Sequence, residues 1–392
     1  MTKIKTNRNN TNNVPPLRFP EFSGEWRYSL LGNECNILCG YPFDGQDMQE
    51  SSGNVKLLRG INITEGEIRH SNELDRYYSG DISKLGKYIL KEGDLVIGMD
   101  GSKVGRNSAI LTICEQGSYL VQRVCRIRSQ KHNVEYIFQH INNSKFHKYV
   151  DSIKTASAIP HISQSDIQDY TISFPPTAEE QIKITSLLSL LDARIATQNK
   201  IIEDLEQLKS AIRERLYTQI QEEDFEHKTI KDVLSYEHPT KYIVVDTEYT
   251  DDKKLTPVLT ANKAFILGYT PEQENIYGKG DCIIFDDFTM DIKFVSFPFK
   301  IKSSAIKILT AKTNVNLYFI YEYLLFLNLI SEEHKRHYIS EIEPLHIVVP
   351  CLVIQHKIAE ILQSIDKQIH NARQLQSAYQ RQKQYLLNQM FI

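Results

Sequence analysis

The sequence predicts an α+β fold in which two globular segments alternate with two long helices. Three observations carry this. One helical pattern occurs twice at a fixed spacing, and each copy follows a larger stretch of short β-type runs broken by Gly, Asn and Asp. The composition, 41% hydrophobic and 24% charged over 392 residues, is that of a globular chain long enough for two or three domains.

The repeat is read directly from the residues. SFPPTAEEQIKITSLLSLLDARI from Ser173 and IVVPCLVIQHKIAEILQSIDKQI from Ile347 align when Gln181 is placed on Gln355, a shift of 174 residues from 181 to 355. The same shift places Pro176 on Pro350, Lys183 on Lys357 and Asp192 on Asp366. In the first copy Ile184, Leu188, Leu191, Ile195, Ile202, Leu205, Ile212 and Leu216 fall on alternating three- and four-residue steps, interrupted at Gln198 and Lys209. In the second, Ile358, Leu362, Ile365, Ile369, Ala372, Tyr379, Leu386 and Met390 do the same, interrupted at Gln376 and Lys383. Any two amphipathic helices share a heptad; matching proline, glutamine, lysine and aspartate are not demanded by one. Gln181, Lys183, Asp192, Arg194, Lys200 and Glu206 fall off the seam and are expected mostly at solvent, some of them facing partners.

Ahead of the first long helix lie the β-type runs Tyr88–Ile97 and Tyr119–Ile127, ahead of the second Cys282–Phe285 and Phe294–Ile301, and one aromatic helix is expected near the end of each segment, Glu135–Val150 and Leu317–Ile330. The segments are not close copies, although Glu92-Gly-Asp-Leu-Val-Ile97 resembles Lys279-Gly-Asp-Cys-Ile-Ile284. The expected divisions are a flexible segment 1–14, globular segments 15–175 and 222–349, and helices 176–221 and 350–392.

Several chemistries are absent from the sequence. It has no GxxxxGK[ST] phosphate loop, no HExxH, no paired Cys/His zinc spacing and no GxSxG elbow, so catalysis and a metal are not expected. Ser173-Phe-Pro-Pro176 lacks the flanking residues with which amino-methyltransferases grip a flipped base. His140 and His147 read as ordinary surface residues. Six scattered cysteines read as reduced, mostly buried thiols, and MTKIKTNRNNTNN lacks the apolar stretch of a signal peptide, so a cytoplasmic protein without a membrane span is expected. A net charge of −3 argues against coating DNA through a uniform positive field but leaves room for local basic faces.

From about Val14 onward the chain resembles type I restriction-modification specificity subunits. The resemblance rests on Val14-Pro-Pro-Leu-Arg-Phe-Pro-Glu-Phe22 with Gly24-Glu-Trp26, on Ser163-Gln-Ser-Asp-Ile-Gln-Asp-Tyr170 leading to Phe174-Pro-Pro176 and Glu179-Glu-Gln181, and on Leu187 to Asp192 with Leu205-Glu-Gln-Leu-Lys209. The second junction departs from the pattern at Cys351-Leu-Val-Ile-Gln355. The resemblance implies two target-recognition domains, each followed by a spacer helix, with the helices packed as an antiparallel coiled coil of pseudo-twofold symmetry. It also implies a non-catalytic reader of bipartite double-stranded DNA. Two modification (methyltransferase) subunits and restriction/translocase subunits are the implied partners, and S-adenosylmethionine, ATP and magnesium would belong to those partners.

A DNA reader needs Lys and Arg for phosphates and hydrogen-bonding side chains for base edges. In the first segment the polar turn Gly101-Ser-Lys-Val-Gly-Arg-Asn107 offers Lys103, Arg106 and Asn107; Gln122, Arg123, Arg126 and Arg128 cluster around one β-type run; Lys154, Ser157 and His161 occupy a further loop. In the second, Asn262, Lys263, Lys293, Lys300, Lys302 and Lys307 are the candidates, and Asp286-Asp287 reads as the end of a strand. The competing readings are a coiled-coil scaffold that binds only proteins and an enzyme of unfamiliar type.

Overall fold

The computed structural model describes residues 13–50, 55–261, 265–331 and 336–392. Most of the expected segment 1–14, and the candidates Asn262 and Lys263, lie outside the described residues. The chain forms two compact units, the first running to Thr197 and including Leu375–Ile392, the second comprising Gln198–Gln374. Each long helix therefore contributes to both.

The first unit opens with β1 (Arg27–Leu30), α1 (Leu31–Glu34) and β2 (Asn36–Cys39), followed by β3 (Met48–Gln49), β4 (Val55–Leu58), β5 (Arg76–Tyr78), β6 (Leu95–Gly98), β7 (Ser108–Ile110), β8 (Tyr119–Leu120) and β9 (Val124–Arg128). Then come α2 (Val134–Ile141), α3 (Ser144–Ile153), α4 (Gln164–Gln168), β10 (Thr171–Phe174) and α5 (Ala178–Glu222). Strands order as β2-β9-β6-β7 in one sheet and β3-β5-β4-β8 in another, while β10 returns to pair with β1. Alternation along β6 and β9 puts Leu95, Ile97, Cys125 and Ile127 in a core with Tyr136, Ile137 and Ile141 of α2, and Val96 and Val124 in a separate core on the other face.

Among the described residues the second unit follows the same order without counterparts of β3, α3 and α4: β11 (Glu226–Thr229), α6 (Ile230–Val233), β12 (Leu234–Glu237), β13 (Thr256–Leu259), β14 (Ile266–Thr270), β15 (Cys282–Asp286), β16 (Ile292–Val295), β17 (Lys300–Ile301), β18 (Ile306–Ala311), α7 (Leu317–Phe326), β19 (His346–Val349) and α8 (Leu352–Met390). The sheet β12-β18-β15-β16 corresponds to β2-β9-β6-β7, and β11–β19 to β1–β10.

Several expectations are corrected. The single helix over Glu135–Val150 is two, because Asn142 closes α2 and the Asn143 side chain caps α3 by accepting from Lys145 N. The second aromatic helix stops at Phe326 rather than Ile330. The run Tyr88–Ile97 keeps strand geometry only from Leu95; Tyr119–Ile127 is split by a turn where Arg123 has φ +68°, and Phe294–Ile301 is split ahead of Lys300. His140 is buried, as are Cys125 and Cys282, whereas Cys114 and Cys351 are exposed; all six cysteines are free thiols.

The seam is a core. Ile184, Leu188, Leu191, Ile202, Ile358, Leu362, Ile365, Ile369, Ala372 and Met390 are buried, and Ile195, Leu205, Ile212, Leu216, Tyr379 and Leu386 are half-buried. Each fully buried Leu or Ile contributes roughly 1.5–3 kcal/mol. Tyr217, Ile220, Leu387 and Phe391 are also buried, at positions the heptad did not include. Helix polarity is visible within each unit. In the first, Asp192 meets Lys383 and Arg194 meets the ring of Tyr379; in the second, Glu206 meets Arg373 and Lys209 meets Asp366. Rising numbers on one helix match falling numbers on the other, so the segments run antiparallel.

Candidate nucleic-acid interface

In the first unit two loops meet at one edge. Gly105, at φ +71°, lies so close to α3 that a Cβ would stand 2.9 Å from Val150, and the neighbouring Arg106 donates to Asp151 of α3 at 2.6 and 3.2 Å. Lys154 reaches the same carboxylate at 2.7 Å. These two cations hold the exposed Asp151 carboxyl well below the usual carboxylate range. Asp100 bridges to His161, Gly101 N donates to Pro160 O at 3.1 Å, and Ile162 N donates to Met99 O at 3.0 Å, stitching the two loops together. His161 is held by Thr155, and the Ser157 hydroxyl donates to Ile159 O at 2.6 Å.

The turn carrying Gln122 and Arg123 joins this edge, since Met99 N donates to Arg123 O at 2.9 Å and Gln122 N to Tyr41 O at 2.8 Å. Only glycine fits at position 40, where a Cβ would come within 2.1 Å of Val121 O. Gln122 and Arg123 are exposed, and a non-glycine residue with positive φ is uncommon enough to mark the turn as constrained. Lys103 is exposed and paired with Glu65 at 2.8 Å, an ion pair that DNA can displace at small cost. The structure thus brings together Lys103, Arg106, Asn107, Gln122, Arg123, Lys154, Ser157 and His161.

It does not bring Arg126 or Arg128 to that edge. Arg126 is 4% exposed and donates to Asn36 Oδ1 at 2.6 Å and Lys87 O at 3.2 Å; Arg128 makes two 2.6 Å contacts with buried Asp94. Strand alternation puts both on one face of β9, where these partners hold them.

In the second unit, two of the candidates are interior. Lys300 is 2% exposed, paired with Glu272 at 2.5 Å and donating to Glu274 O at 2.9 Å; Lys307 is 3% exposed, 3.4 Å from Asp287 and under the ring of Tyr236. Burial of an amine requires such partners, so these lysines are structural. Lys293 is half-buried on β16. Lys302 is exposed, beside the turn in which Asp287 N donates to Ala305 O at 2.8 Å. Asp286 does end its strand, its side chain accepting from Phe288 N and Thr289 N, and buried Asp287 accepts from His337 N and Tyr338 N at 3.1 and 2.8 Å. That brings exposed Arg336 over the Phe288 ring at 5.9 Å. Sequence reasoning missed Arg336, which has no patterned neighbours.

The framework behind the first edge uses the remaining motif residues. Arg18 chelates buried Glu180 of α5 through two 2.7 Å contacts, and Trp26 Nε1 donates to the same carboxylate at 3.3 Å. Gln181, expected off the seam, is buried: its Oε1 accepts from Asn133 N at 3.3 Å at the start of α2. Gln355 does the same for Asn316 N at 2.8 Å at the start of α7. The shared glutamine is therefore a device that docks each long helix onto its domain.

Residues 25–207 and 222–378 match the family described as "Type I restriction modification DNA specificity domain". The chain is 43% identical over 144 residues to the EcoR124I/EcoR124II type I restriction enzyme specificity subunit of Escherichia coli, covering 33% of this chain and 35% of that one. It is 24% identical over 299 residues to the putative MjaX specificity subunit of Methanocaldococcus jannaschii, covering 67% and 68%. The match to the first of these, like that to the EcoBI specificity subunit of E. coli at 37%, spans about a third of the relative's length. The fold is that of the type I restriction-modification system S subunit from M. genitalium, with a TM-score of 0.64 at 14% identity over 97% of this chain and 99% of that one.

Proposed function

The chain belongs to the type I restriction-modification DNA specificity family, and on that footing we propose that each unit reads one part of a bipartite double-stranded DNA target. The observation that carries this reading is the loop edge of the first unit, where cations and hydrogen-bonding side chains from distant parts of the sequence converge on a constrained turn. Lys103, Arg123 and Lys154 suit phosphates; Asn107, Gln122, Ser157 and His161 suit base edges. In the second unit Lys302 and Arg336 take the phosphate role. The chain itself performs no reaction in this reading. It holds the target for methyltransferase and restriction subunits, which carry S-adenosylmethionine, ATP and magnesium, and it works in the cytoplasm. No helix of the described residues is long and apolar enough to cross a membrane.

The test is selection from a random duplex library by the chain assembled with its methyltransferase partner. The double variant Lys103→Glu/Arg123→Glu should repel the backbone strongly enough to undock the first unit, so that preference is lost at one half of the enriched sequence, and Lys302→Glu/Arg336→Glu should do the same for the second unit at the other half. Enrichment of no sequence by the unaltered protein would favour a protein-binding scaffold instead.

A further inference from the structure

The first unit contains a cleft of about 820 Å³ away from the loop edge, on the face of β9 that carries Arg126 and Arg128. Its lining holds five cations, Lys87, Lys91, Arg126, Arg128 and Lys131, against one carboxylate, Glu34. Two of the five are already compensated: Arg128 by Asp94, and Lys131 by Glu34 at 2.7 Å. Glu34 is further engaged by Arg27 and by His132, so it has nothing left for the others. Arg126 is the anomaly. It is almost wholly buried, its guanidinium is met only by a neutral amide and a carbonyl, and its Nε has no partner among the described residues. Burial and the neighbouring Arg128 disfavour its charge, and the more distant Asp94, already paired with Arg128, opposes them only in part. The ammonium groups of Lys87 and Lys91 stand exposed at the rim with no ion pair among the described residues, Lys87 over the Tyr88 ring at 4.9 Å and Lys91 meeting Asp94 only through its backbone N at 2.8 Å.

Among the described residues the second unit lacks this arrangement. The ladder row Leu38, Arg126, Val96 of the first unit corresponds to Glu237, Ile308, Ile284 of the second, where Ile308 is fully buried in an apolar core. A buried cation maintained in one unit and replaced by isoleucine at the same place in the other is not required by the fold. Desolvating an arginine without a directly paired carboxylate is unfavourable, and an arriving anion offsets that cost.

We propose that this cleft holds phosphate groups of the nucleic-acid backbone, forming a second, sequence-independent DNA contact in the first unit. Phosphates are favoured over a single acidic side chain because three cations without an ion pair among the described residues line the cleft, which matches a run of charges rather than one. The inference rests on the reading above that the chain binds DNA.

The experiment measures duplex affinity against salt concentration for the full chain assembled with its methyltransferase partner, using Lys87→Gln/Lys91→Gln. Both lysines are at the surface, so folding is spared. The expected result is weaker binding, equal for target and scrambled duplexes, with the slope of log affinity against log salt reduced by about two, one per phosphate contact. Titration with inorganic phosphate forms a second arm. Three results would overturn the proposal: an unchanged salt slope, a loss confined to one sequence, or phosphate binding abolished by the variant while duplex binding stays intact. If the unaltered assembly binds no duplex at all, the DNA-reading function itself fails; if it binds and only the cleft variant is silent, the cleft alone is misassigned.

Discussion

The two units solve one packing problem with different charges. In the first, Asp192 of α5 pairs with Lys383 of α8 at 2.6 Å, and Gln139 of α2 donates to the same aspartate at 3.0 Å. In the second the roles exchange: Asp366 of α8 pairs with Lys209 of α5 at 2.6 Å. Asp366 is the repeat mate of Asp192, and Lys383 that of Lys209, so one ion pair is built twice from crossed partners. The third member differs. Glu322 stands six residues beyond the capping Asn316, as Gln139 does beyond Asn133, and it adds a fully buried negative charge. Arg213 neutralises it at 2.7 Å, and the repeat mate of Arg213 is Leu387. Gln139 with Leu387, or Glu322 with Arg213: each combination leaves its clamp without excess charge, and a mixture would not. Buried charge is tolerated here because it is balanced within a few ångströms.

The largest expected effect breaks that balance. Glu322→Ala leaves Lys209 and Arg213 without their buried counter-charge, and losing one member of a buried ion network costs about 3–5 kcal/mol. Adding Arg213→Leu should recover a substantial part, because the second unit then carries an uncharged pair like that of the first. Urea midpoints followed by far-UV circular dichroism check this, with fluorescence of the single tryptophan, Trp26, reporting the first unit as control. Additive losses in the double variant would mean that the two residues do not compensate each other.

How much of this was legible follows from the same residues. The helices and their seam were, because a three-and-four period survives in any register, and so were the repeat mates Asp192/Asp366 and Lys209/Lys383. That they pair crosswise was not, since the repeat fixes equivalence and says nothing about contact. Glu322 and Gln139 were invisible because α2 and α7 share no sequence pattern beyond their capping asparagines. Among the candidate contacts, the loop residues 103–107 and 154–161 were found together because glycine and short polar residues mark turns. Arg126, Lys300 and Lys307, expected at the surface, are buried for a different reason. Alternation tells which strand residues share a face, but not which face another sheet will cover.

A second contrast is acid sensitivity. His140 of α2 is buried against Phe391 and Tyr136, and burial, reinforced by Lys145 and only partly opposed by the Ser173 backbone, pushes its pKa down to about 3. Tyr323 holds the corresponding place in α7, accepting from Val348 N at 3.2 Å. An unfolded histidine titrates near 6.5, so below that pH the unfolded state binds a proton that the folded first unit refuses. Stability contributed by neutral His140 is thus complete above about pH 6.5 and falls as the pH drops toward about 3, by up to roughly 1.4 kcal/mol per pH unit inside that window. Trp26 fluorescence in urea at pH 7 and pH 5 should show the loss, and His140→Phe should flatten it. An equal pH dependence in the variant would place the acid sensitivity elsewhere.

The smallest effect lies in the first clamp. Asp192 has about a third of its side chain exposed and Lys383 a sixth, at 36% and 16%, so water already screens their attraction. Asp192→Asn removes the charge but keeps an oxygen that can still accept from Gln139 Nε2, and no buried charge is stranded, because the Lys383 amine can turn to solvent. The cost should therefore be under about 1 kcal/mol, in the range of exposed pairs. It should also vanish at about 1 M salt, where the screening length shrinks to about 3 Å, whereas the Glu322→Ala loss should persist. Denaturation midpoints of both variants at low and high salt test the contrast directly. Equal, salt-insensitive losses would show that burial does not distinguish the two clamps, and the compensation argued between Glu322 and Arg213 would then need another cause.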